Sequence, residues 1–159
     1  MPLVFSVVAG ADTGGQSIRM AQAFRRHGGD WQLRSATRSS NYIGYPIDLP
    51  YRTKLVEEFW QKADIVHLHN NFRTAVLYER RLGKRPTVLH HHGTVFRTNP
   101  GPLLQESRRR GTVGITSTLD LWLIAPDELE WLPAPYDIDF LAEVGQQHRR
   151  EPDGRIVIC

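Results

Sequence analysis

Residues 3–17, Leu-Val-Phe-Ser-Val-Val-Ala-Gly-Ala-Asp-Thr-Gly-Gly-Gln-Ser, decide how the rest of the chain is read. Leu3 to Ala9 is a short, nearly continuous apolar run rich in valine, the pattern of a strand buried on both faces of a parallel sheet. A polar turn from Gly10 to Gly15 follows at once. Ser17 is then placed to cap a helix whose apolar residues Ile18, Ala21 and Phe24 recur at helical spacing, with Met20 four before Phe24, until Gly28 and Gly29 end it. Strand, glycine turn and helix in direct succession make the opening unit of an α/β fold.

The alternation continues downstream. Strands are predicted at Trp31–Thr37, Asp64–His69, Pro86–His91 and Thr112–Thr116, with two further short ones at Leu121–Ile124 and Glu130–Leu132. Helices are predicted at about Tyr51–Lys62, which would bury Leu55, Val56, Phe59 and Trp60, at Phe72–Leu82, and at Pro102–Arg110. Such a rhythm predicts an α/β, Rossmann-like parallel sheet with helices on both faces and right-handed crossovers. A last helix around Ile138, Leu141 and Ala142 is expected to stop at Gly145. The predicted organisation is therefore one domain over 1–145, a charged linker over 146–154, and in 155–159 (Arg-Ile-Val-Ile-Cys) the truncated first strand of a missing second domain.

Composition narrows the function classes. The chain has 159 residues and a formal net charge of +3. Its lysines are Lys54, Lys62 and Lys84, and the other basic residues are arginines. The densest cluster, Arg108 to Arg110, is expected to be a solvated helix end, and no nucleic-acid reading module accompanies it, so no nucleic-acid partner is expected. The single cysteine, Cys159, leaves no disulfide or multi-cysteine metal pattern, which suits a reducing, cytoplasmic setting. The N-terminal apolar run has no basic flank and reads as a strand rather than a signal peptide. No run of about 18 apolar residues occurs, so membrane contact is expected to be peripheral at most.

In open parallel sheets ligands bind beyond the carboxyl ends of the strands. Those ends supply the candidates: Asp12, Thr13, Gly14, Gly15 and Gln16 after the first strand; His69 and Asn70 after the third; His92, Gly93 and Thr94 after the fourth; Ser117 after the fifth. Gly14 and Gly15 let backbone N–H groups approach an anion at a helix N-terminus, although neither a dinucleotide fingerprint nor a P-loop is present. Side chains alternate along a strand, so His67 and His69 share one side, as do His90 and His92. No Asp, Glu or Cys joins these histidines at ligand spacing, so no metal and no resident cofactor is expected. The tryptophans 31, 60, 122 and 131 offer a sugar-stacking platform in principle, but strand and helix spacing predicts core packing for at least three. A Ser-His-Asp hydrolase is excluded by the absence of a G-x-S-x-G elbow.

Taken in order, ADTGGQS (11–17), ADIVHLHN (63–70), PTVLHHHGT (86–94), TVGITST (112–118) and WLPAPYDIDFL (131–141) resemble the N-terminal half of GT-B fold retaining glycosyltransferases, family 4-like. The resemblance implies an acceptor-side Rossmann-like domain, with the nucleotide-sugar donor held by a C-terminal domain that is a further region or a second polypeptide. It also implies that the loop at Gly14 and Gly15 faces the donor diphosphate and that His92, before Gly93, lies near the transferred sugar as the catalytic histidine. The acceptor would be a sugar, lipid or protein. Where the family usually carries Asn-Gly before the aspartate of the exit phrase, this chain has Ala134 and Pro135 ahead of Tyr136 and Asp137. The alternatives are a GT-B fold sugar-nucleotide epimerase and a non-catalytic Rossmann-like ligand-binding module.

Overall fold

The computed structural model describes residues 1–11, 15–39, 46–70, 72–134, 142, 143 and 146. Strands β1 (Leu3–Ala11), β2 (Gln32–Ser39), β3 (Leu49–Pro50), β4 (Ile65–His69), β5 (Thr87–His91), β6 (Val113–Thr116) and β7 (Leu129–Trp131) alternate with helices. These are α1 (Gln16–His27), α2 (Thr53–Lys62), α3 (Arg73–Leu82), α4 (Gly93–Thr98), α5 (Pro100–Arg110) and α6 (Leu119–Trp122). All seven strands are parallel and run in the order β3-β2-β1-β4-β5-β6-β7. The chain is thus a Rossmann-like α/β sheet, as the alternating pattern predicts. The order reverses between β1 and β4, the switch point where such sheets open a crevice.

Alternation along β1 explains the layers. Phe5 and Val7 face one side, where they pack with Val56 and Trp60 of α2, Ala75 and Tyr78 of α3, and Val66, Leu68 and Leu89 of the central strands. Val4 faces the other side and meets Met20, Ala21 and Leu33 beneath α1. A third cluster, Phe96, Leu104, Leu121, Ala125 and Leu129, fastens α4, α5 and α6 to the β6–β7 end. Trp60 is fully buried, and its indole N–H donates to the Gly83 carbonyl at 3.1 Å, satisfying the one polar atom that its burial takes from water. On the α1 side an apolar cavity of about 640 Å³ runs beside that helix, floored by Ile65, His67, Val88 and Ile115.

Several expectations need correction. Leu121–Ile124 is not a strand: residues Leu119–Trp122 make one helical turn after Thr118, with Asp120 in its first turn. Leu121 is buried there while Leu123 and Ile124 stay exposed, so the apolar run covers only one face. Pro50 belongs to β3, a two-residue edge strand, where a missing N–H costs no ladder bond. The short helix α4 occupies what reads as a loop. Core packing holds for Trp60 and in part for Trp122, which lies half-buried against the third cluster. It fails for Trp31 and Trp131, which are 40% and 49% exposed: Trp31 precedes β2, and Trp131 closes β7, which among the described residues has a neighbouring strand on one side only. Arg108 and Arg109 are exposed as expected, but Arg110 is largely buried and ties Glu79 of α3 to Glu106 of α5. The expected helix at Ile138–Gly145 falls almost wholly outside the described residues, and the linker and terminal strand do so apart from Gln146. Among the described residues no helix is long and apolar enough to cross a membrane.

Candidate functional site

The middle of β1 and the carboxyl ends of β4, β5 and β6 meet on the α1 side of the sheet. Parallel register decides what gathers there, because paired residues point to the same face. Ser6 of β1 pairs with His67 of β4, and His69 of β4 pairs with His90 of β5. The two same-side pairs expected from alternation, His67 with His69 and His90 with His92, therefore merge into one four-ring cluster. Ring centroids lie 4.5 Å apart for His67–His69, 5.4 Å for His67–His90, 5.0 Å for His69–His92 and 4.1 Å for His90–His92. His91 points to the opposite face and packs on Phe96, with centroids 4.3 Å apart.

Hydrogen bonds order this cluster from the sheet outward. Ser6 Oγ lies 2.9 Å from His69 Nε2, and His69 Nδ1 lies 2.7 Å from His92 Nε2. His90 Nε2 lies 2.7 Å from Ser117 Oγ. The backbone N–H of His92 donates to Asn70 Oδ1 at 2.7 Å, while the Asn70 N–H donates to the His90 carbonyl at 2.9 Å. Asn70 is the one non-glycine described with positive φ, at 61°, a conformation that side chains disfavour and that often marks a constrained functional position. Gly93 follows His92 at φ 43°, and Gly15 turns into α1 at φ 61° as its buried N-cap.

Among the expected site residues, His69, Asn70, His92 and Ser117 converge directly, and Gly93 adjoins them. Gly15 and Gln16 lie at the start of α1, on the face that bears the histidines. Thr94 is exposed on α4, where its carbonyl accepts the Thr98 hydroxyl. Asp12, Thr13 and Gly14 lie outside the described residues. Sequence reading missed Ser6. Its signal was a lone hydroxyl in an apolar run, on the same side as Val4, but only the register with β4 connects it to a histidine.

Burial dominates the electrostatics. It holds His67 down to about 3, with the neighbouring His92 adding to the effect, and His91 down to about 4. His92 lies at about 4 through burial, with His91 and Arg19 as further causes. His69 and His90 are pushed well below the ordinary range, first by burial and then by the other rings. At neutral pH the cluster is a set of neutral imidazoles, each offering one donor and one acceptor. His67, His69 and His90 bring one nitrogen each within 4.8 Å of one another. Both nitrogens of His69 already stand in hydrogen bonds, and that group contains no carboxylate or thiolate to offset an ion's charge.

Compared with protein-family models and with curated protein sequences, the chain matches none. Fold and site together define a Rossmann-like parallel α/β domain whose histidine, asparagine and serine side chains gather beside its topological switch point.

Proposed function

We propose that this chain is the acceptor-side domain of a retaining GT-B glycosyltransferase, working against a second Rossmann-like domain that grips the nucleotide-sugar. The observation that carries the reading is the position of His92: it stands at the tip of β5, hydrogen-bonded to His69 and Asn70 of the neighbouring strand and followed by a left-handed glycine. That is the strand end where a ligand enters an open parallel sheet.

In this reading the acceptor hydroxyl attacks the anomeric carbon on the face the diphosphate leaves. The sugar–diphosphate bond breaks with its electron pair going to the phosphate oxygen, and the hydroxyl proton passes to that phosphate. The transition state carries positive charge on the sugar and negative charge on the leaving group. The backbone N–H of Gly15, the N-cap at the positive end of α1, stabilises the departing diphosphate, and Gly14 is expected to contribute to the same loop. Neutral His92 hydrogen-bonds the transferred sugar without adding a cation beside the developing positive charge. The donor is a nucleotide-sugar, the acceptor a sugar, lipid or protein, and no protein nucleophile is required.

Titrating the isotope-labelled chain with nucleotide-sugars and glycans while recording amide spectra tests the placement. Shifts concentrated at Gly15, Asn70, His92, Gly93 and Ser117 are expected. A response confined to the amino ends of the strands, near Lys84 and Thr112, would overturn it.

A further inference from the structure

The hydrogen-bonded series from β1 to the tip of β5 has a direction that heavy-atom positions constrain. Ser6 is fully buried, and its hydroxyl carries one hydrogen that must find an acceptor or lie unsatisfied. Its side-chain partner is His69 Nε2, at 2.9 Å. If Ser6 donates, Nε2 is the bare nitrogen of a neutral ring and Nδ1 carries the proton. His69 Nδ1–H then donates to His92 Nε2, 2.7 Å away, and that second ring in turn carries its proton on Nδ1. The opposite direction would have His92 donate to His69 and His69 donate to Ser6, leaving the buried hydroxyl hydrogen without that acceptor. Burial keeps both rings neutral at pH 7, so each carries a single ring proton whose place the partners decide.

We propose that Ser6 and His69 are positioning residues that fix His92 in its Nδ1–H form, so that the tip of β5 offers its ligand a neutral hydrogen-bond donor. Such a donor fits an acceptor oxygen, such as a sugar hydroxyl or a phosphoryl oxygen. It disfavours a ligand group that can only donate. The link to a sugar ligand rests on the function proposed above; the protonation pattern of the two rings does not.

Nitrogen-15 spectra of the histidine side chains distinguish protonated from bare ring nitrogens and need neither substrate nor second domain. In the full 159-residue chain at pH 7, His69 and His92 are expected to show a protonated Nδ1 and a bare Nε2. Ser6→Ala removes the donor, and both rings should then move to an exchanging mixture of forms, whereas Ser6→Thr, which restores a hydroxyl, should return the wild-type pattern. A wild-type His92 protonated on Nε2 would overturn the proposal, and so would a Ser6→Ala protein whose ring pattern is unchanged. If Ser6→Ala does not fold, the wild-type spectrum alone decides. Failure to bind any sugar ligand would count against the functional reading and leave this result standing.

Discussion

Asn70 Oδ1 accepts the backbone N–H of His92 at 2.7 Å, and this bond helps tie the tip of β4 to the tip of β5 where the strands stop pairing. The geometry requires Asn70 to hold φ 61°, so its side chain performs the tie while its own backbone is strained. Asparagine suits both demands, since it tolerates the left-handed region and carries an acceptor at short reach.

Asn70→Ala should lose the bond and keep the strain, costing between about 1 and 3 kcal/mol from a left-handed residue with a Cβ and a lost hydrogen bond. Asn70→Gly relieves the strain and should cost about 1 kcal/mol. Urea denaturation of the two variants checks the order; equal stabilities would show that the backbone at Asn70 is not strained.

Gly15 caps α1 at φ 61° and is buried. Gly15→Val places a β-branched residue in the left-handed region and should destabilise by about 2 kcal/mol, whereas Gly15→Asn should be tolerated better. In a two-domain enzyme Gly15→Val should also weaken donor binding by blocking the backbone approach. Thermal melts give the first result and donor titration the second.

The five histidines on β4, β5 and the residue after β5 link stability to acid. Each has its native pKa held below the ordinary value, so the unfolded chain binds more protons than the native one below about pH 6.5. Stability should be full above that pH and fall as pH drops toward 4. His91 lies apart from the cluster, its ring nitrogens buried with no hydrogen-bond partner among the described residues, against Phe96. His91→Phe should therefore raise stability and reduce proton uptake on unfolding by about one near pH 5. Denaturation at a series of pH values measures both; unchanged uptake would mean that His91 is protonated in the native protein.

Much of this site is legible in the sequence. The valine-rich run followed by a glycine turn predicts β1 and α1, and alternation alone places His67 with His69 and His90 with His92. What alternation lacks is register: only the pairing of His69 with His90 and of Ser6 with His67 joins these residues into one cluster. The apolar residues at Leu121, Leu123 and Ile124 misled for a related reason. Four residues are too few to separate a strand from a helical turn, and the choice was made by the packing of Leu121 against Phe96 and Leu129. Trp31, just ahead of β2, and Trp131, on β7 at the end of the strand order, show that a tryptophan's size says little about its burial where a strand begins or the sheet has an edge.

Metal content gives an independent check on the histidine cluster. Protein purified without a polyhistidine tag, in buffer containing zinc and then desalted, should hold far less than one zinc per chain, because His69 would have to give up Ser6 or His92 to bind it. About one zinc per chain, lost in His69→Ala, would contradict the hydrogen-bonded arrangement.

The central claim is tested most directly by supplying the second domain that the proposed function requires. Fusing this chain to the nucleotide-sugar-binding domain of a retaining GT-B glycosyltransferase and assaying a panel of donors and acceptors by mass detection should yield product. His92→Ala should then lower kcat by more than it raises the donor KM, since in the proposed function the histidine acts as the sugar–diphosphate bond breaks. Sustained transfer by this chain alone, or a folded fusion whose His92→Ala variant turns over at the wild-type rate, would contradict the account.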